Sequence, residues 1–275
     1  MMRYIVLLVL LSLTANVCGQ TYEGLITKSY DYLDKSELDS AEVSLKAAMQ
    51  MEPSNPMNFA LLTNLGTIQR RLGKREDALL SYTAALAQKT NNTTILMNRA
   101  SLYAEMDDLE KAIADYTTVL MHDAKNEEAL YERGLAYIQD SDFFKAEDDF
   151  SKILELNETS TLGRLGHAIL EKERGNYNES ERIFNYLIDK LPREWLLYQE
   201  RADLYFRMGK NGRAMADLNR VFIESKPTAW TYLLRGKVKL AQYEKSSAAQ
   251  DFEKAKEMGY DPEVINAYLA LTKKK

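Results

Sequence analysis

The residue types that carry most enzyme and metal chemistry are scarce in this sequence. Its 275 residues include one cysteine, Cys18, and two histidines. One cysteine can form neither an internal disulfide nor a cysteine-based zinc site, and two histidines are too few for a histidine-built metal centre. The sequence also contains no glycine-rich phosphate loop, no H-E-x-x-H and no G-x-S-x-G motif. We therefore predict no catalytic residue, no metal site and no cofactor.

The nearest approach to an ion-binding motif is the stretch from Asp140 to Asp142, which begins like a calcium-binding loop. Lys145 stands where the turn glycine of such a loop belongs, and no glutamate occupies its twelfth position. Acid pairs such as Asp148 and Asp149 fall at repeated positions in the chain. Solvated surface or structural ion pairs explain these acids better than acid–base catalysis.

One charged pair recurs along the chain. Four arginines are each followed, sixteen residues later, by an aspartate: Arg99 and Asp115, Arg133 and Asp149, Arg201 and Asp217, Arg235 and Asp251. At the three other equivalent places both partners are missing, as at His167 and Ile183. We predict four structural ion pairs within helix pairs. The alternative, that these arginines bind an acidic ligand, stays open. His167 is not a catalytic candidate because it occupies an arginine position of the pattern.

The pairs belong to an internal repeat that must position them. Small residues recur 34 residues apart after one first interval of 37, at Ala41, Ala78, Ala112, Ala146, Ser180, Ala214 and Ala248. A bulky apolar residue follows each by four positions, and another small residue precedes each by twelve. A fixed period of 34 predicts a solenoid of helical hairpins, whose small residues let two helices cross closely. The low content of glycine (12) and proline (5) also favours a helix-rich fold.

These positions resemble the tetratricopeptide repeat, with tyrosines such as Tyr103, Tyr137 and Tyr205 at repeat position 11 and Pro53 and Pro192 at position 32. The resemblance implies an all-α fold, a right-handed superhelical solenoid of about seven hairpins with a C-terminal capping helix. The expected repeats are about 22–58, 59–92, 93–126, 127–160, 161–194, 195–228 and 229–262, followed by a capping helix and basic tail at 263–275. The fifth repeat departs most from the pattern, so we expect it to be the least stable.

The resemblance also implies where a partner binds, since the first helix of each hairpin lines the concave groove. The groove residues it implies are Tyr131, Leu135, Ile138, Leu165, Ile169, Phe206, Trp230 and Leu233. Their apolar and aromatic character suits an extended or helical segment with apolar anchors. The alternative is that these side chains pack against the next hairpin. The Lys, Asn and Arg cluster of chaperone-binding members is absent, because Ile26 and Tyr30 occupy two of its positions.

The first residues read as a targeting segment. Arg3 is the only charge of residues 1–19, a short apolar run follows it, and small residues precede Gln20. We expect a secretory signal peptide cleaved after Gly19, because the run is shorter than the ~20 apolar residues that span a bilayer. An uncleaved anchor and a lipid on Cys18 remain open. The expected location is periplasmic or extracellular, with membrane attachment only in those two cases.

Charge limits the class of partner. The net charge is −5, and acids and bases alternate along the chain without the basic stripe that a nucleic-acid binder needs. We therefore expect a non-enzymatic protein–protein interaction scaffold that holds a protein or peptide of unknown identity in its concave groove. The alternative is a membrane-tethered lipoprotein assembly factor acting in envelope biogenesis.

Overall fold

The structure is a computed structural model that describes residues 21–273. The expected signal peptide and Cys18 lie outside the described residues. Across this range the chain forms fifteen α-helices and no strand. The helices are α1 Tyr22–Asp34, α2 Leu38–Met51, α3 Asn58–Arg71, α4 Arg75–Gln88, α5 Thr93–Glu105, α6 Leu109–His122, α7 Glu127–Gln139, α8 Phe143–Leu156, α9 Thr161–Glu173, α10 Tyr177–Lys190, α11 Trp195–Arg207, α12 Asn211–Glu224, α13 Ala229–Ala241, α14 Lys245–Glu257 and α15 Pro262–Lys273.

The helices pack as hairpins in two compact units that divide between Ala136 and Tyr137, inside α7. In the first unit α1 packs on α2, α3 on α4 and α5 on α6. In the second unit α9 packs on α10, α11 on α12 and α13 on α14. The prediction of an all-α fold built from helical hairpins is confirmed.

Small residues allow the two helices of a hairpin to approach closely. A Cβ atom added to Gly236 of α13 would lie 2.5 Å from the ring of Phe252 on α14. In the first unit, a Cβ on Gly66 of α3 would lie 2.6 Å from the ring of Tyr82 on α4. Both distances are shorter than any real Cβ contact, so the aromatic residue and the glycine occupy complementary space. This close packing explains why small and bulky residues recur at fixed positions in the sequence.

Each first helix ends in a sharp turn that needs a left-handed residue. Residues with positive φ at these turns are Ser36, Gly73, Asp107, Ser141, Gly175, Gly209 and Tyr243. Glycine adopts this conformation without strain, and serine or aspartate tolerates it better than a bulky residue does. Tyr243 is the exception in the series, with a φ of 65° and a side chain that is 86% exposed.

The last helix covers the end of the second unit. α15 packs on α14 and contacts α13, and its Ile265 is fully buried. Pro262, expected to close the seventh repeat, is the first residue of α15. Proline suits this position because the first N–H groups of a helix have no partner inside the helix. The expected start of the capping helix at residue 263 and its start in the structure at Pro262 therefore differ by one residue.

Candidate functional site

Three of the recurring arginine–aspartate pairs form two-pronged ion pairs between the helices of one hairpin. Each arginine donates through Nε and Nη2 to the two carboxylate oxygens. The donor–acceptor distances are 2.7 and 2.8 Å for Arg99 and Asp115, 2.8 and 2.8 Å for Arg201 and Asp217, and 2.8 and 2.5 Å for Arg235 and Asp251. Because both prongs of each guanidinium already hold a carboxylate, these pairs have a structural role.

Arg133 of the fourth predicted pair makes a contact within its own compact unit. Arg133 donates to Thr117 Oγ1 at 3.1 Å, and Asp149 is 3% exposed. Arg99 and Arg201 make the same kind of second contact, to Thr83 and Asn185 sixteen residues upstream. The arginine of a repeat thus also contacts the second helix of the preceding hairpin.

In the fifth repeat, His167 takes the place of the arginine and packs without an ion pair to an aspartate. His167 is half-buried, its ring lies edge-on to Phe150 at 6.0 Å, and its Nε2 is 3.5 Å from Ser151 Oγ. Burial lowers the pKa of His167 and so favours the neutral form of the imidazole. A cavity of about 260 Å³ lies beside it, lined by Leu154, Arg164, His167, Glu171, Glu179, Arg182 and Ile183. Two of these lining residues, Arg182 and Glu179, form an ion pair at 2.6 Å.

The expected groove residues divide into a half-buried set and a buried set. Five of them are half-buried: Leu135, Ile138, Ile169, Phe206 and Trp230. Tyr131 and Leu165 are only 8% and 7% exposed. Leu233 is 2% exposed and packs in a core cluster with Phe252 and Ile265, so placing it in the groove was wrong. The capping helix covers this position, which in a preceding repeat would face the next first helix.

In the second unit, α9, α11, α13 and α15 contact one another in that order. We call the surface that they form the first-helix face. Ile169, Phe206 and Trp230 lie on it as half-buried apolar side chains. The helices α9, α11 and α13 thus each contribute one of these half-buried apolar side chains.

The same helices carry a charge network that sequence reasoning missed. Lys172 of α9 has a side chain only 5% exposed, and its Nζ lies 2.8 Å from both Glu200 and Asp203 of α11. Arg207 bonds Asp203 at 3.1 Å and Glu173 at 2.9 Å. Burial opposes the charge on Lys172, but the two carboxylates outweigh it and raise its pKa. These contacts span 28 and 31 residues. At the equivalent repeat positions of the first unit, Arg70 contacts Ser101 at the same separation of 31 residues, but the residue types differ, so a repeated sequence pattern does not show the network.

Lys237 of α13 has no carboxylate within ion-pair distance of its Nζ among residues 21–273, although Asp203 and Asp251 pair with neighbouring cations. Three rings surround it instead, with Nζ-to-centroid distances of 5.1 Å to Phe206, 5.7 Å to Trp230 and 5.9 Å to Tyr268. Burial lowers the pKa of Lys237, and the nearby cations Arg207 and Lys172 add to this while Asp203 opposes it. The site therefore combines a partly desolvated ammonium with aromatic walls.

The corresponding helices of the first unit are more polar. Arg70 of α3 forms an ion pair with Glu105 of α5 at 2.5 Å and donates to Ser101 at 2.8 Å. Burial, with the neighbouring Glu128, raises the pKa of Glu132. A cavity of about 250 Å³ between α3 and α5 is lined by Phe59, Ala60, Thr63, Asn64, Asn92, Thr94 and Ile95.

Within residues 21–273, no three metal-ligating side chains come together as a cation site would require. Over the same range no helix has the length and apolar character to cross a bilayer.

Comparisons with known proteins agree on the fold. The tetratricopeptide repeat family model matches residues 97–160. The crystal structure of a tetratricopeptide repeat protein from Parabacteroides merdae ATCC 43184 is 64% identical, covers 93% of this chain and 100% of its own, and superimposes with a TM-score of 0.78. MamA from Desulfovibrio magneticus RS-1 is 16% identical over 64% of this chain and 98% of its own, with a TM-score of 0.55, which shows a shared fold alone.

A curated relative matches a smaller part. RNA polymerase II-associated protein 3 of Xenopus tropicalis is 32% identical over 98 residues, or 33% of this chain. The match spans only 15% of that protein's length. The similarity is therefore one of repeat units.

Proposed function

The chain belongs to the tetratricopeptide repeat family, and we propose that it is a non-enzymatic scaffold that binds a segment of another protein along its first helices. Protein binding is the general activity of tetratricopeptide repeat domains. The observation that carries the proposal is the row of half-buried apolar side chains Ile169, Phe206 and Trp230 on three successive first helices. In this family the first helices line the concave groove, so this row is the proposed contact surface.

The residue types on the first-helix face suit a peptide or a helix with apolar anchors. Trp230 and Phe206 offer large rigid rings, and tryptophan is among the residues most enriched at the energetic centre of interfaces. The charged groups beneath them, Lys172 with Glu200 and Asp203, are bound to one another and hold the helices in register. The face thus provides anchors on a rigid base, as recognition of a segment requires.

The experiment that tests this proposal is site-specific crosslinking in the native host. A photoreactive amino acid replaces Phe206 or Trp230 in the full chain, and a matched probe replaces Ile223, which is 82% exposed on the second helix α12. We expect one defined crosslinked species from positions 206 and 230 and none from position 223. The same spectrum of products at all three positions would contradict binding at the first-helix face.

We further propose that the protein is exported, with cleavage after Gly19 and a location in the periplasm or outside the cell. The support is the charge and apolar pattern of residues 1–19. The alternative is a membrane-tethered assembly factor of envelope biogenesis, acylated at Cys18. Mass spectrometry of the mature N-terminus separates them: Gln20 as first residue supports the soluble form, and a lipid-bearing Cys18 supports the tethered form.

A further inference from the structure

The first-helix face holds three cations and three acids in one neighbourhood. Lys172 binds Glu200 and Asp203, and Arg207 binds Asp203 and Glu173, at distances from 2.8 to 3.1 Å. Lys237 is left with no acceptor at such a distance among residues 21–273. An ammonium group has three N–H donors, and a ring face attracts its charge without accepting those donors as an oxygen does.

The environment of Lys237 favours an added anion. The side chain is half-buried between Phe206, Trp230 and Tyr268, and its pKa is lowered, so the charged form is incompletely compensated in the free protein. An anion that reached Nζ would restore this compensation in a site that the three rings shield from water in part. Charge complementarity therefore identifies the missing partner group as an acid.

We propose that Lys237, with the rings of Phe206, Trp230 and Tyr268, is the specificity subsite of the groove and receives an aspartate or glutamate side chain flanked by apolar residues in the partner segment. The inference rests on the proposed function, because it names the partner chemistry of the same face.

The geometry distinguishes this ligand from other anions. A phosphate group is doubly charged near neutral pH and is held best by several donors at once, whereas this site offers one unpaired ammonium. Rings lie on both sides of Lys237 along the row of helices, with Phe206 on the preceding first helix and Tyr268 on the capping helix. A segment with apolar residues on both sides of its acid would place them against these rings, whereas a free C-terminal carboxylate has chain on one side only.

The test uses the full mature chain and a display library of random dodecapeptides as the probe. We expect selected peptides to carry Asp or Glu between apolar residues. The tightest peptide is then synthesised in three forms: with its acid, with the corresponding amide, and with the acid moved to a free C-terminus. Affinity should fall by about 10- to 100-fold for the amide form, as expected for a charged hydrogen bond.

Lys237→Met is the variant that tests the site, since it keeps side-chain length and removes the charge. It should bind the acid and amide forms equally, while Lys237→Arg should keep the preference. Lys226→Met, at an exposed loop lysine, is the matched control and should behave like the wild type. Circular dichroism and thermal melting verify that each variant is folded.

The outcomes separate the subsite from the scaffold function. Selected peptides that require Phe206 and Trp230 but show no acid preference would overturn the subsite and leave the scaffold proposal standing. If neither Phe206→Ala nor Trp230→Ala lowered the affinity for any selected peptide, both the subsite and the scaffold proposal would be contradicted. Equal discrimination between acid and amide in wild type and Lys237→Met would place the acid elsewhere and overturn the subsite. Tightest binding by the free C-terminal form would overturn the assignment to an internal side chain.

Discussion

Arg201 and Asp217 meet through two parallel hydrogen bonds, from Nε to Oδ2 and from Nη2 to Oδ1, each 2.8 Å long. The two side chains are 15% and 10% exposed, so the pair is largely shielded from water. A guanidinium fork matches both oxygens of a carboxylate, which makes this geometry stronger than a single contact. The pair ties α11 to α12 across sixteen residues of sequence.

Breaking this pair on one side should destabilise the protein. Asp217→Asn or Arg201→Gln should each lower the free energy of unfolding by on the order of 3 kcal/mol, because each leaves a shielded charge without its partner. The double variant should lose less than the sum of the two. The measurement is urea unfolding followed by circular dichroism. Arg182→Gln, in an exposed pair with Glu179, is the control and should change stability by about 0–1 kcal/mol. Strict additivity would contradict the pairing.

Glycine to alanine changes should have opposite effects at two helix positions. Gly236→Ala should lower the melting temperature, since its Cβ would lie 2.5 Å from the Phe252 ring. Gly212→Ala, in α12, meets no atom within 4 Å and should be neutral or stabilise by up to about 1 kcal/mol through helix propensity. Equal effects of the two changes would show that the ring does not set the size limit at position 236.

The turn after α13 contains removable backbone strain. Tyr243 has a φ of 65° and is 86% exposed, so Tyr243→Asn should raise stability by up to about 1 kcal/mol because asparagine tolerates the left-handed conformation. Gly209→Ala, at the equivalent turn with a φ of 71°, should lower stability by about 1 kcal/mol. Thermal melting of the two variants shows whether stability rises in the first and falls in the second. A loss of stability in Tyr243→Asn would mean that the tyrosine side chain contributes contacts of its own.

Lys172 should stabilise the fold, and the loss of stability on its removal should depend on the presence of Glu200 and Asp203. Lys172→Met should lower the free energy of unfolding by about 3 kcal/mol or more, because Glu200 and Asp203 would be left beside each other without their shared cation. Changing both acids to their amides in the same chain should recover part of that loss. No recovery in the triple variant would show that the loss came from packing of the lysine stem alone.

Glu42 should make stability depend on pH in the acid range. It is 5% exposed, and although burial opposes its charge, hydrogen bonds from Lys46, Lys74 and Gln69 lower its pKa from 4.5 to about 2. A pKa lowered by folding stabilises the protein fully above the unfolded value, and the contribution fades as pH falls from about 4.5 to about 2. The difference in melting temperature between wild type and Glu42→Gln should therefore shrink over this interval. A difference that stays constant with pH would contradict the assignment.

Sequence alone determined the parts of this protein that repeat. The small residues recur with a period of 34, and the spacing of sixteen residues from arginine to aspartate recurs four times. A pattern such as Ala214 with Leu218 is therefore visible without coordinates. Such patterns record packing inside one hairpin, where the contact distance along the chain is short and constant. The fold and the pairing of Arg99, Arg201 and Arg235 follow from them.

Only the tertiary structure decided what lies on the first-helix face. Leu233 fits the groove pattern but is covered by the capping helix, while Lys172 contacts acids 28 and 31 residues away. The rings around Lys237 come from three helices that are separate in sequence. These relations arise between hairpins, where the residue types at equivalent positions differ from repeat to repeat. Burial and charge compensation there depend on which side chains the neighbouring helices bring together.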